Sequence, residues 1–151
     1  MFAQPVQHRR VRRTDFDAVR ALLADSGLSS PSAERGDRHR FRRLMSDLGA
    51  DLYLAERGPS ALGIVHITYV RRLAAPAAAR IELLLVSPPA RLQGIGRGLV
   101  AFAIERARRR GCAVLRCRMG PGAEAARLFF GRTGWRGAAE EFEFDLARAA
   151  Q

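Results

Sequence analysis

The chain has 151 residues, enough for one domain with a real core, and 48% of them are hydrophobic. No apolar run approaches the roughly 20 residues of a bilayer-spanning helix, and none follows the N-terminal arginines. A membrane span and a signal peptide are therefore not expected, and a cytoplasmic location is. The net charge is +11, and all 26 basic residues are arginines spread over the whole chain. Beside abundant alanine this reads as GC-biased codon usage more than as a nucleic-acid surface, although such a charge would draw in an anionic cofactor.

Residues 6–12 read as a first strand with Arg and His on its outward positions. Thr14 is placed to cap a helix in which Phe16, Val19, Leu22 and Leu23 recur at helical spacing, and Gly27 ends it. A polar loop over 29–36 precedes a second helix, about 37–48, with Phe41, Leu44, Met45 and Leu48 on one face. Asp25, Glu34 and Asp37 read as solvated acids. Residues 51–57 and 61–71 form a hairpin about Gly58, Pro59 and Ser60, with His66 and Tyr69 on opposite faces of its second strand. His66 reads as a satisfied or solvated histidine or as a functional group. Residues 74–79 read as a loop, and 80–86 as a central strand buried on both faces.

Two prolines, Pro88 and Pro89, stop that strand, and Gly94, Gly96 and Gly98 lead into an amphipathic helix running to about Arg110. Strand, glycine turn and helix start leave several N–H groups pointing one way at the positive end of the helix dipole, which is an anion site. A Walker loop is excluded because the chain has no lysine, and a Rossmann turn because the third glycine comes one residue early. Gly111 closes the helix, and Arg108, Arg109 and Arg110 offset the dipole on its last turn. Cys112 and Cys117 lie in one apolar run, about 113–119 as a strand, and read as buried thiols rather than a disulfide or a metal pair. Residues 140–146 alternate Phe142, Phe144 and Leu146 with Glu141, Glu143 and Asp145, as a closing strand does.

The run Arg91, Leu92, Gln93, Gly94, Ile95, Gly96 resembles the acetyl-CoA signature [RQ]-x-x-G-x-[GA] of the GNAT superfamily of N-acetyltransferases. Residues 125–135, ending in Gly134 and Trp135, resemble that family's A-x-x-[LF]-Y-x-x-x-G-[FW] segment. The resemblance spans nearly the whole chain. It implies a single GNAT domain over 1–151 with the α+β, three-layer α/β/α fold: a mixed, mostly antiparallel sheet of about seven strands and four helices, in the order β1-α1-α2-β2-β3-β4-α3-β5-α4-β6-β7. It further implies acetyl-CoA as co-substrate, with its pyrophosphate on the amides of Leu92, Gln93, Gly94, Ile95, Gly96, Arg97 and Gly98, and with Arg91 and Arg97 adding charge. Leu84 would polarise the thioester carbonyl, Leu85 and Val86 would meet the pantetheine arm, and Phe130 would line the thiol pocket.

Phe130 stands where the family usually has a proton-donating tyrosine, and Ala123 where an asparagine often contacts the arm. Glu82 is the odd residue of its strand: it is either paired with Arg71, Arg72 or Arg80, or is the general base for an incoming amine. By alternation along the strand it shares a face with Leu84 and Val86, which in the family's pattern meet the cofactor. The expected reaction is direct acetyl transfer to a primary amine of a small molecule or peptide, with no metal. A CoA-binding module without transferase activity and an RNA-directed acetyltransferase are the alternatives. Dimers are common in such folds, but no residue here specifies an interface.

Overall fold

The computed structural model describes residues 4–118 and 124–137. The chain divides into two compact units, residues 1–118 and 119–151. The first is built on a sheet of five strands in sequential order: β1 (Gln7–Arg10), β2 (Ala50–Arg57), β3 (Ser60–Val70), β4 (Ala78–Val86) and β5 (Val114–Cys117). Neighbours from β1 to β4 are antiparallel, and β5 runs parallel to β4. Helix α3 (Ile95–Arg109) is the crossover that a parallel pair requires.

Each face of this sheet carries helices. On one face, Leu52, Leu54 and Ile64 join Val11, Phe16, Val19, Leu22 and Phe41 in a core closed by α1 (Phe16–Asp25) and α2 (Glu34–Met45). Phe16 and Phe41 meet edge to face there, with centroids 5.4 Å apart. On the other face, Val65 and Ile67 are buried together with Leu99, Ala103 and Ala107 of α3. Gly63 lets α3 approach: a Cβ there would lie 2.7 Å from the Leu85 carbonyl oxygen and 3.0 Å from Leu99 Cδ1.

Several boundaries differ from the sequence reading, each for a local reason. Thr14 is not the cap of α1. It lies inside a short 3-10 turn, Arg13–Asp15, where the Asp15 carboxylate accepts the Arg12 N–H at 2.6 Å. Helix α2 begins three residues early and ends at Met45, because Asp47 accepts the Gly49 N–H at 2.8 Å and turns the chain; Leu48 is consequently 88% exposed rather than inward. Asp37 is not solvated. It is buried in α2, bonded to Ser29 and, at 2.8 Å, to Arg40, and these two hold its carboxyl below the usual range.

Strand β4 begins at Ala78, inside the expected loop, since pairing with Val70 on one side and Val114 on the other overrides the weak strand preference of alanine. It is not buried on both faces: Leu83, Leu84, Leu85 and Val86 are half-buried. Cys112 and Cys117 are free and half-buried rather than buried. Arg110 lies just beyond α3, and its cation bonds to Asp51 and the Leu48 carbonyl rather than serving only the dipole.

In the second unit, α4 (Glu124–Arg132) closes with Trp135 N–H on the Phe130 carbonyl at 3.2 Å, with Gly134 at φ +85° between them. Phe130 is buried between the rings of Phe129 and Trp135. Ala123 and the expected strand over 140–146 lie outside the described residues, so the described sheet has five strands where about seven are expected. No helix among the described residues is long and apolar enough to cross a membrane.

Candidate functional site

The site starts where β4 ends. Ser87 N–H bonds to the Leu62 carbonyl at 2.8 Å, a 3-10 turn over Pro88–Ala90 comes next, and the chain then winds through two left-handed residues, Leu92 at φ 60° and Gly94 at φ 80°. Glycine adopts this conformation freely, but for leucine it costs on the order of 1–3 kcal/mol. Leu92 is moreover fully exposed, so no packing of its side chain offsets that strain. Gly94 is the N-cap of α3, and the first helical bond runs from Gly98 N–H to the Gly94 carbonyl at 3.0 Å. The amides of Gly94, Ile95, Gly96 and Arg97 therefore precede the helical ladder and have no carbonyl partner within it. A Cβ on Gly94 would meet nothing within 4 Å, so the space beside these amides is open.

Of the seven expected anion-binding amides, one is used elsewhere in the fold. Gly98 N–H is used in the helix, and Gly98 has a different purpose: its missing Cβ makes room for the His8 ring, which would stand 3.3 Å away. Arg91 and Gln93 brace the turn with their side chains, Arg91 Nε donating to the Val86 carbonyl (3.3 Å) and Gln93 Nε2 to the Pro89 carbonyl (3.0 Å). Arg97 is exposed beside the open amides.

The strand leading into this turn opens away from its neighbour. Pairing of β4 with β5 stops at Ile81 and Cys117, so 82–86 have no β5 partner among the described residues. On the other side the register with β3 slips by one: His66 faces Leu83, Ile67 faces Ile81, and Glu82 is the extra residue of a β-bulge. A one-residue insertion puts the next residues of the strand on the opposite face from that expected by simple alternation. Leu84 and Val86 are aligned with Val65 and Gly63 on the α3 side, while Leu83 and Leu85 pack against the core under α1 and α2.

Glu82 does not share the face of Leu84 and Val86. Its carboxylate accepts the Thr68 hydroxyl at 2.8 Å, on the face that Thr68 shares with His66 and Ile64. Nor is it buried, as the strand's apolar character suggests; it is exposed. Of the arginines considered as its partners, Arg72 turns to the Pro76 carbonyl at 2.8 Å. His66, the cross-strand partner of Leu83, has its Nε2 buried without a hydrogen bond. Burial holds its imidazole below the ordinary value, with the Glu82 and Asp47 charges opposing the shift. The bulge brings Glu82 and Thr68 together, which alternation along one strand does not reveal.

An open amide row, an exposed carboxylate and an unpaired apolar strand edge thus lie along one stretch of chain. Compared with known families, residues 16–135 match the acetyltransferase (GNAT) family. The chain belongs to that family. Acetyl-CoA is the co-substrate of GNAT enzymes, and the chain is by membership an acetyl-CoA-dependent N-acetyltransferase. No curated protein sequence matches it significantly.

Among solved structures, a transcriptional regulator from Bacillus halodurans C-125 is 25% identical, with a TM-score of 0.82 over 94% of this chain and 100% of that one. An aminoglycoside N-acetyltransferase in complex with CoA is 14% identical, with a TM-score of 0.83 over 95% and 96%. A glucosamine-6-phosphate N-acetyltransferase from Arabidopsis thaliana is 13% identical, with a TM-score of 0.78 over 95% and 99%. The GNAT chain's own residues fit the co-substrate. Four amides without a helical partner at a helix N-terminus suit a pyrophosphate, and a strand edge without a β5 partner among the described residues, with half-buried Leu84 and Val86, suits an amide-bearing arm.

Proposed function

We propose that this GNAT protein moves the acetyl group to the primary amine of a small molecule or peptide by direct attack, with Glu82 as the general base. The observation that carries the reading is the β-bulge at Glu82, which offers an exposed carboxylate at the point where β4 loses its β5 partner. Bound acetyl-CoA supplies an activated thioester carbonyl. The amides of Gly94, Ile95, Gly96 and Arg97 hold its diphosphate, the Arg97 cation adds charge, and the backbone edge at Leu84, Leu85 and Val86 aligns the arm. A donor aimed at the developing oxyanion, the part assigned to Leu84, is commonly worth about 2.7–4 kcal/mol.

An alkylamine is mostly protonated at neutral pH and attacks only as the free base. Glu82 accepts that proton, directly or through one water, while the Thr68 hydroxyl fixes Oε1 and Oε2 has no hydrogen-bond partner among the described residues. Phe130 cannot donate a proton, so the departing thiolate takes one from solvent or from another group. That slows the reaction without abolishing it. A panel of small and peptide amines, assayed for CoA release with acetyl-CoA, tests the proposal. At least one amine is expected to give release above hydrolysis. Protection against heat by acetyl-CoA with no release on any amine would leave a binding module only.

A further inference from the structure

At the far end of α3 from the glycine turn, about 20 Å away along the helix, lies a second charge cluster that acetyl transfer does not use. Asp51, at the start of β2, has a fully buried carboxylate. It accepts the Tyr69 hydroxyl at 2.7 Å and ion-pairs with Arg10 at 2.9 Å, Arg110 at 3.4 Å and Arg106 at 3.7 Å. One carboxylate thus faces three guanidinium groups, which pair with no other acid among the described residues. Two positive charges are left over.

The shortfall falls mainly on Arg106. At 3.7 Å it is beyond hydrogen-bond reach of Asp51, and its Nε is buried without any partner. Its side chain keeps 27% exposure, Arg110 34% and Arg10 59%, so all three reach solvent around the same carboxylate. Guanidinium groups crowded like this repel one another unless an anion joins them, and each offers a planar fork of donors that fits an oxyanion. A carboxylate brings two oxygens and one charge. A phosphate group brings three or four oxygens and up to two charges, which matches the excess of two. Arg110 Nη1 already donates to the Leu48 carbonyl at 3.1 Å, so Arg106 and Arg10 would supply most of the donors and Arg110 mainly charge. We infer that Arg10, Arg106 and Arg110 form a binding site for a phosphate-type oxyanion, separate from the turn that begins α3.

The test is thermal unfolding in saturating CoA, which fills the turn, with inorganic phosphate replacing chloride at constant ionic strength. Millimolar phosphate is expected to raise Tm saturably, by about 2–4 °C. Arg106→Gln is expected to abolish that rise while retaining the stabilisation by CoA, and Arg10→Gln, at the most exposed of the three, to weaken it. A parallel arm with glycerol phosphate distinguishes the source: an equal rise assigns a phosphate ester, and a rise with inorganic phosphate alone assigns the free ion. A rise that is linear in concentration and equal in wild type and both variants is general salt stabilisation and overturns the site, as does no rise at all.

Discussion

Asp51→Ala is expected to be the most destabilising single substitution in the first unit. The carboxylate is wholly buried, and its removal leaves three guanidinium groups and the Tyr69 hydroxyl facing one another with nothing between them. Breaking a buried ion pair from one side costs about 3–5 kcal/mol where the remaining charges stay desolvated. Here the three arginines keep 27–59% exposure, which puts the cost at the lower end of that range. In a chain of this size that is a fall in Tm of roughly 10 °C. The cluster joins β1, β2, β3 and the end of α3, so the loss is expected to appear as global unfolding rather than local fraying. A surface pair sets the contrast. Arg109 and Glu105 lie 2.9 Å apart but are 67% and 51% exposed, and Glu105→Gln is expected to cost at most about 0.5 kcal/mol. Tyr69→Phe, which removes one donor and no charge, should fall between them. Equal melting temperatures for wild type and Asp51→Ala would show that the cluster contributes nothing to stability.

Glu82→Gln is expected to lower kcat with an alkylamine at neutral pH by roughly 10²–10⁴-fold, the usual range for a lost general base. The KM for acetyl-CoA should stay unchanged, because Glu82 touches Thr68 and lies on the opposite sheet face from Leu84 and Val86. Glutamine keeps the size and the bond to Thr68 and removes only the proton acceptor. The defect should therefore depend on pH. As pH rises toward the amine's own pKa the free base forms without help, about tenfold more per unit, and the variant should close on the wild type. An amine of low pKa should show little difference at any pH. A defect that is constant across pH and across amines would assign Glu82 to positioning instead of proton transfer.

The features legible in the sequence are those written in consecutive residues. Pro88, Pro89 and the glycines from 94 to 98 mark a turn by conformation alone, and the apolar spacing after them marks α3. The closure of α4 at Gly134 and Trp135 is equally local. Features that depend on pairing between distant segments are hidden. The slip at Glu82 exists only in the register of β4 against β3, so alternation assigns its side chain to the wrong face. Asp51 reads as no more than the first residue of a strand, since its partners Arg10, Tyr69, Arg106 and Arg110 come from three other elements. Gly98 falls in with the anion turn by spacing, although the reason for it is His8 of β1, 90 residues earlier in the chain.

We propose that the start of α3 holds the diphosphate of CoA while the edge of β4 beyond Ile81 holds its arm. Amide NMR shifts, monitored on titration with CoA and separately with pantetheine, test it most directly. With CoA, the resonances of Gly94, Ile95, Gly96 and Arg97 are expected to move together with those of Leu84, Leu85 and Val86. Pantetheine, which has no phosphate, is expected to move only the β4 set. Saturation with CoA that leaves the four turn amides unmoved would place its diphosphate elsewhere than the start of α3.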